Sequence, residues 1–314
     1  MITKWKYMNK PIVSVIVPNY NHARYLEQRL DSVFGQTYQN FEVIILDDCS
    51  TDNSLEVINR YKDNPHLSQI EPNKTNSGSV FKQWDKGFGM AKGEYIWIAE
   101  SDDYCELNFM ESLMRELIMH PKAVVAFSNY VKCDENSNII ARSKEWGSRC
   151  YNGKRFVRKR MACFCEIHNA SGAIFKKSVL ASVSKMYQTY QSTGDYQFWS
   201  EVAACGDVIS VHKNLTYWRQ SLQSVTGTKL SKGITAKEDR RVYEYIQDKY
   251  QLSFAERYMA YAKHIAYYRN APYDSEEIRN EILSWWHDGY SHGKIDSFLL
   301  WFSGSMERHL GILL

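Results

Sequence analysis

The chain has 314 residues, 44% of them hydrophobic and 24% charged, the composition of an ordinary globular protein with ample material for a core. Its 39 basic and 36 acidic residues leave a formal charge of +3, which gives no ground for a nucleic-acid partner, and none is expected. No apolar run reaches the roughly 20 residues of a membrane-crossing helix, so any membrane contact would be from the side.

In chain order, residues 12–17 (IVSVIV) read as a strand buried on both faces, as in a parallel sheet. Lysines precede this run and Pro18 breaks it, with no small-residue cleavage site after it. It therefore reads as a first strand and not a signal peptide. PNYNH ends it, and Leu26, Leu30, Val33 and Phe34 place an amphipathic helix over 24–36. Residues 41–46 predict a second buried strand, running into Asp47, Asp48 and a helix that Ser50, Thr51 or Asp52 can cap. A weaker strand over 67–71, a helix over 79–91 and a strand over 95–99 follow. This alternation predicts an α/β fold, a parallel sheet with helices on both faces.

The middle of the chain is more mixed. Residues 123–133 read as a strand, 153–162 as a basic helix, and 171–180 as a strand entering a helix. A further helix carries Phe198, Val202 and Cys205 on one stripe, with Asp195 near its start, and VISVH and LTYWR read as two short strands. Beyond residue 229 four helices are expected in a row. The seven cysteines are odd in number, irregularly spaced and without a CxxC pair, which fits reduced thiols better than disulfides or a zinc site.

Three polar clusters follow predicted strands: Pro18, Asn19, Tyr20 and Asn21; Asp47 and Asp48; and Glu100, Ser101, Asp102 and Asp103. Ligands of such sheets gather at the carboxyl ends of the strands. One aspartate there would be a helix cap, but two acidic clusters on one sheet point to a divalent cation. Hard carboxylate oxygens suit Mg²⁺ or Mn²⁺, with phosphate oxygens completing the shell. There is no Walker A sequence and no GxGxxG after the first strand, so a cation would have to neutralise a nucleotide diphosphate in place of a P-loop.

The stretches VSVIVPNYN, LDSVFGQTYQNFEVIILDDCSTD and AKGEYIWIAESDD resemble the nucleotide-binding half of the family 2 inverting glycosyltransferases over residues 11–105. SGAIFKKSVL, TGDYQFW and LTYWRQSLQSVT extend the resemblance more weakly to about residue 227. It implies the GT-A fold, a Rossmann-like mixed sheet flanked by helices, over 1–228. The nucleotide-binding half would be 11–105 and the acceptor half 106–228, with a helical C-terminal appendage over 229–314. By the same resemblance Pro18 and Tyr20 pack against the base, Asp48 bonds it with Asp47 alongside, and Asp102 touches ribose or metal. Asp103 is then the metal ligand, Arg219 approaches the diphosphate, and Asp195 is the general base.

The implied reaction is metal-dependent (Mn²⁺ or Mg²⁺) inverting transfer of a hexose from a nucleotide sugar, a UDP-sugar foremost. The implied acceptor is a glycan or lipid-linked glycan of bacterial surface-polysaccharide type, handled at the cytoplasmic side. Five positions depart from the family pattern: Glu100 in place of Asp, Ser221 in place of His, Gly194 in place of Glu before the base, and Lys82 with Asp85 in place of Arg and Asn. A nucleotidyltransferase and a non-catalytic nucleotide-sugar-binding scaffold are the alternatives. PNYNHARY, which has no glycine, counts against the first, and the departures at Glu100 and Ser221 keep the second open. Ser171 and Gly172 either line an acceptor pocket or form a packing turn. Trp84, Trp97 and Trp199 either stack on sugars or fill the core, which is favoured for Trp97 in mid-strand. The basic run 154–160 reads foremost as a solvated helix face and an apolar stripe of Ile295, Phe298, Leu299 and Phe302 as packing on the first domain, with peripheral membrane contact and homodimerisation as the alternatives.

Overall fold

The structure, a computed structural model, describes residues 11–220 and 225–287. The expected helix beyond residue 294, its apolar stripe and Ser221 lie outside the described residues. So do the first ten residues.

The chain forms β1 (Val13–Asn19), α1 (Ala23–Phe34), β2 (Phe41–Asp47), α2 (Ser54–Asn59), β3 (Leu67–Pro72), α3 (Val80–Met90) and β4 (Tyr95–Ile98). Then come β5 (Tyr104–Cys105), α4 (Phe109–Met119), β6 (Ala123–Cys133), β7 (Ile139–Arg142), β8 (Arg149–Tyr151), β9 (Ala173–Lys176) and β10 (Asp207–Arg219). The main path of the sheet runs β3-β2-β1-β4-β9-β6-β10-β5. Neighbours from β3 to β4 are parallel, β9 is antiparallel to both β4 and β6, and β6 and β10 are parallel. The sheet is therefore mixed.

All seven residues of β1 are buried, as its unbroken apolar run requires of a strand covered on both faces. On one face Leu26, Leu30 and Val33 of α1 and Leu113 of α4 meet Val13, Val15 and Val17. Truncating one such leucine to alanine costs roughly 2–5 kcal/mol. On the other face α3 approaches so closely that a Cβ on Gly87 would lie 2.5 Å from Ile16 Cγ2. Trp84, Trp97 and Trp199 are all buried, so none offers a sugar platform.

The parallel register decides what the strand ends bring together. Asn19 pairs with Asp47 across β1 and β2, and Ile16 pairs with Ile98 across β1 and β4. The three polar clusters thus emerge at one edge. VISVH and LTYWR, read as two strands, are one: the intervening Lys213 and Asn214 fall where the register of β10 shifts, between Val211 and Thr216.

This sheet lies in one compact unit: the chain up to Asn152, Ile167–Ser184 and Cys205–Gln220. A second unit gathers Gly153–Glu166, Lys185–Ala204 and the described residues 225–287. It contains α5 (Gly153–Phe156), which passes into a π-helical turn over Val157–Met161, and α6 (Gly194–Ala204). It also holds α7 (Val225–Ser231), α8 (Ile234–Tyr250), α9 (Phe254–Arg269) and α10 (Glu276–His287). Its core is aromatic, with Tyr243, Tyr261, Tyr268 and Trp286 buried and His264 stacked 4.4 Å from Trp286. Phe198 and Val202 are buried as expected, but Cys205 lies past the end of α6 and is exposed. In the basic run Arg158 pairs with Glu256 at 2.6 Å and Arg160 with Glu166 at 3.0 Å. All seven cysteines are free. Among the described residues no helix is long and apolar enough to cross a membrane.

Candidate active site

The loops after β1 and β2 are knitted into one structure. Asp47 is fully buried, and its carboxylate accepts from Asn19 Nδ2 (2.8 Å), Ser50 N (2.9 Å) and Ser50 Oγ (2.6 Å). Ser50 Oγ in turn accepts from Asn21 N at 2.9 Å, and Asn21 Oδ1 accepts from Thr51 N at 2.7 Å. Asn21 (φ 56°) and Cys49 (φ 65°) take left-handed backbone, a cost these bonds offset. Asp48 organises the next loop: Oδ1 accepts from Asn73 Nδ2, Ser77 N and Gln83 Nε2 at 2.7–2.8 Å, and Oδ2 from Ser77 Oγ at 2.8 Å. Asp48 is 5% exposed and keeps lone-pair capacity on Oδ2. Tyr20, 46% exposed, is open to a ligand, whereas Pro18 is buried within β1.

The residues after β4 form an acidic turn around a buried cation that belongs to the protein. Asp103 is 3% exposed. Its Oδ1 accepts from Arg219 N (3.0 Å), and its Oδ2 from Asn169 Nδ2 and Ser171 Oγ (both 2.7 Å). Arg29 of α1, fully buried, places Nη2 3.9 Å from the same Oδ2. It also donates from Nε to the Glu100 carbonyl (2.8 Å) and from Nη2 to Ser171 Oγ (3.0 Å). Ser171 Oγ further accepts from Glu100 N at 3.0 Å. Ser171 has no exposed surface, so it is a hub of the turn and not the lining of an acceptor pocket.

Glu100 Oε1 accepts from Trp84 Nε1 at 2.8 Å. Burial first, and the Asp102 charge second, push Glu100 up to about 8. The same two causes push Asp103 above the usual carboxylate range. Asp102, half-buried, has a carboxylate that receives no hydrogen bond among the described residues. His22 Nδ1 bonds Ser101 Oγ at 2.8 Å, tying the acidic turn to the start of α1.

The protein itself already bonds three of the side chains expected to meet the ligand. Asp103, read as the metal ligand, carries two protein donors on Oδ2 and one on Oδ1, whereas Asp102 carries none among the described residues. Asp47, expected alongside the base-bonding Asp48, is fully buried and bonded by Asn19 and Ser50. Arg219, read as approaching the diphosphate, spends its guanidinium on protein acceptors. Its Nε donates to Asp102 O (2.7 Å), Nη1 to Asp134 O, Glu135 O and Ser137 Oγ (3.0–3.2 Å), and Nη2 to Gln28 Oε1 (2.8 Å).

Among the described residues no group of three or more His, Cys, Asp or Glu side chains could by itself cage a metal. A cation held by one protein carboxylate and ligand phosphates still fits this turn. Asp102 has a carboxylate that no described residue hydrogen-bonds, and its negative charge helps push both neighbouring acids up.

Asp195 lies in the second unit, in the first turn of α6, half-buried, with Oδ1 accepting from Tyr196 N at 2.8 Å. Burial raises it to about 6, the Tyr196 N–H opposes this, and the Glu238 charge adds to it. A carboxylate poised there accepts a proton near neutral pH.

The family model of glycosyl transferase family 2 matches residues 14–181, from β1 through the acidic turn and past β9. The chain belongs to glycosyl transferase family 2. Glycosyltransferase GlyG of Streptococcus pneumoniae serotype 4 is 36% identical over 125 residues, covering 40% of this chain and 41% of GlyG. The aligned part is thus under half of that relative. Staphylococcus aureus TarS, solved in complex with UDP-GlcNAc, superposes with a TM-score of 0.57 at 20% identity, over 90% of this chain and 74% of that one. A mannosyltransferase from Pyrobaculum calidifontis, solved with GDP-Man and Mn²⁺, superposes with a TM-score of 0.55 at 15% identity, over 98% and 86%. At these identities the likeness shows a common fold, the GT-A fold of this family 2 member.

Sequence reasoning passed over Arg29, Asn169, Gln83 and Glu238. For Arg29 the signal was present: it sits beside Leu30, one turn after Leu26, on the apolar stripe of an amphipathic helix. A charge on such a stripe requires a buried partner. Asn169 and Gln83 carried no comparable signal.

Proposed function

We propose that the protein is a metal-dependent inverting glycosyltransferase that moves a hexose from a nucleoside diphosphate sugar, a UDP-sugar foremost, to a hydroxyl of a glycan or lipid-linked glycan. The setting is cell-surface polysaccharide synthesis at the cytoplasmic side of a membrane. The observation that carries the reading is the unbonded Asp102 carboxylate, beside Glu100 and Asp103 at the carboxyl edge of a GT-A sheet. Family membership supports the transfer, and UDP-GlcNAc on TarS and GDP-Man with Mn²⁺ on the Pyrobaculum enzyme support the donor and cation classes.

In this reading Tyr20 stacks on the base, and Asp48, held by Asn73, Ser77 and Gln83, offers its remaining lone pair to it. Asp102 and the donor phosphates would hold Mn²⁺ or Mg²⁺. When bound, that cation supplies Lewis-acid stabilisation of the leaving diphosphate. Asp103, Asn169, Ser171 and Arg29 hold the turn that presents Asp102. Asp195 takes the acceptor hydroxyl's proton as that oxygen bonds the anomeric carbon, and the electron pair of the broken bond leaves with the diphosphate.

The test is a thermal-shift panel of UDP, GDP, dTDP, CDP and ADP, each with and without Mn²⁺, followed by transfer assays of Asp195→Asn. A midpoint rise with one nucleotide only when Mn²⁺ is present, and loss of transfer in Asp195→Asn with nucleotide binding kept, are expected. No rise with any nucleotide would move the non-catalytic scaffold to the front.

A further inference from the structure

We infer that Glu238, on α8, is a positioning residue for Asp195, so that the helices beyond residue 229 complete the catalytic unit. The inference rests on the reading of Asp195 as the general base.

The stretch beyond residue 229 reads from sequence as an appendage. In the structure α8 grips the loop that presents Asp195. Three consecutive backbone N–H groups converge on the Glu238 carboxylate: Gln191 N on Oε1 (2.8 Å), and Ser192 N (2.8 Å) and Thr193 N (3.1 Å) on Oε2. Glu238 is 6% exposed. Charge-assisted bonds of this kind, out of water, are about twice as strong as neutral ones. Two more contacts from the same region hold the loop. Ser192 Oγ meets Thr235 Oγ1 at 2.9 Å, and Lys229 Nζ donates to Gln191 O. On its other side α6 is pinned by the Tyr196 hydroxyl, which donates to Met161 O.

Three backbone amides need an acceptor just before a helix start, and the local sequence gives that task to no nearby acid: Asp195 itself bonds Tyr196 N. Glu238 takes it from a different helix. The position of Asp195 therefore depends on where α8 lies, and a displacement of about 1 Å at a reacting group can cost on the order of 100-fold in rate. Glu238 also acts through its charge, which adds to the upward push that burial gives Asp195. The other ionisable groups here are Asp239 and Arg241 of α8, Tyr190 before the loop, which Arg241 covers at 4.6 Å, Glu201 of α6, and Tyr268 of α9, which donates to Asp239.

The experiment measures UDP release from UDP-GlcNAc with Mn²⁺, water serving as acceptor, for the full chain and for E238Q, E238D, E238A and D195N. Circular dichroism checks each fold. E238Q and E238A are expected to lose on the order of 100-fold in kcat, with the donor KM moved less than about threefold. The acid limb of the kcat profile should shift to lower pH in E238Q, because a negative neighbour of the base is gone. E238D, which keeps the charge on a shorter stem, should restore the limb and part of kcat. If D195N keeps full activity, the assignment of the base falls. If D195N is inactive but folded E238Q keeps kcat within about twofold and an unmoved limb, the positioning role alone is overturned. Loss of fold in E238Q also overturns it, since Glu238 would then be structural only.

Discussion

Arg29 Nη2 lies 3.9 Å from Asp103 Oδ2, and both side chains are buried. One comes from the first helix and the other from the turn after the fourth strand. The cation that answers the acidic turn most directly is therefore part of the chain, and the open carboxylate is the neighbour of the paired one.

Arg29→Met should destabilise the fold by about 3–5 kcal/mol, because it leaves Asp103 buried without its counter-charge. Arg29→Lys should recover only part of this, since an ammonium lacks the fork that reaches the Glu100 carbonyl and Ser171 together. Urea denaturation measures both. A loss under about 1 kcal/mol for the methionine variant would show that Asp103 does not depend on this pair.

Asp102→Asn should abolish the Mn²⁺-dependent part of the nucleotide thermal shift. It should leave the midpoint of the unliganded protein unchanged or slightly higher, because it removes like-charge repulsion on Glu100 and Asp103. Calorimetric titration with UDP and Mn²⁺ is the check. Undiminished metal-dependent binding would return the ligand role to another acid.

Arg219→Gln should lower stability more than it lowers nucleotide affinity. The guanidinium clamps the carbonyls of Asp102, Asp134 and Glu135 and stands 4.4 Å over the Tyr25 ring. Loss of these charge-assisted bonds costs about 1.5–3 kcal/mol each at most. A drop of ten-fold or more in UDP affinity with an unchanged unfolding midpoint would mean that Arg219 reaches the diphosphate after all.

The second unit should make stability fall as pH rises. Burial pushes Asp239 up to about 7, partly opposed by the Tyr268 hydroxyl, and burial raises Asp195 to about 6. Between the ordinary aspartate value and these values the folded protein binds more protons than the unfolded chain. The stabilisation is thus complete below about pH 4 and is lost as the pH rises through about 6 for Asp195 and about 7 for Asp239, each contributing at most about 1.4 kcal/mol per pH unit. Asp239→Asn should flatten that slope in denaturation curves taken at intervals across the range. An unaltered slope would assign the effect elsewhere.

The sequence by itself determined the α/β order, the two-faced burial of β1 and β2 and the acids after them. Unbroken β-branched runs and a 3.6-residue apolar period have few other solutions. It also carried the family, because the motifs around Asp48, Asp102 and Asp103 are local. What it could not settle is which carboxylate stays open. Asp47, Asp102 and Asp103 are alike as residues, and only their distant donors distinguish them: Asn19 for Asp47, and Asn169, Ser171, Arg219 and Arg29 for Asp103. Likewise the grip of Glu238 on residues 191–193 pairs a helix with a loop far from it in the chain. Charges on the apolar stripes of α1 and α8 announced that buried partners existed. Which partners they were was decided by the tertiary structure, because a hydrogen bond is fixed by distance and direction in space and leaves no period in the sequence.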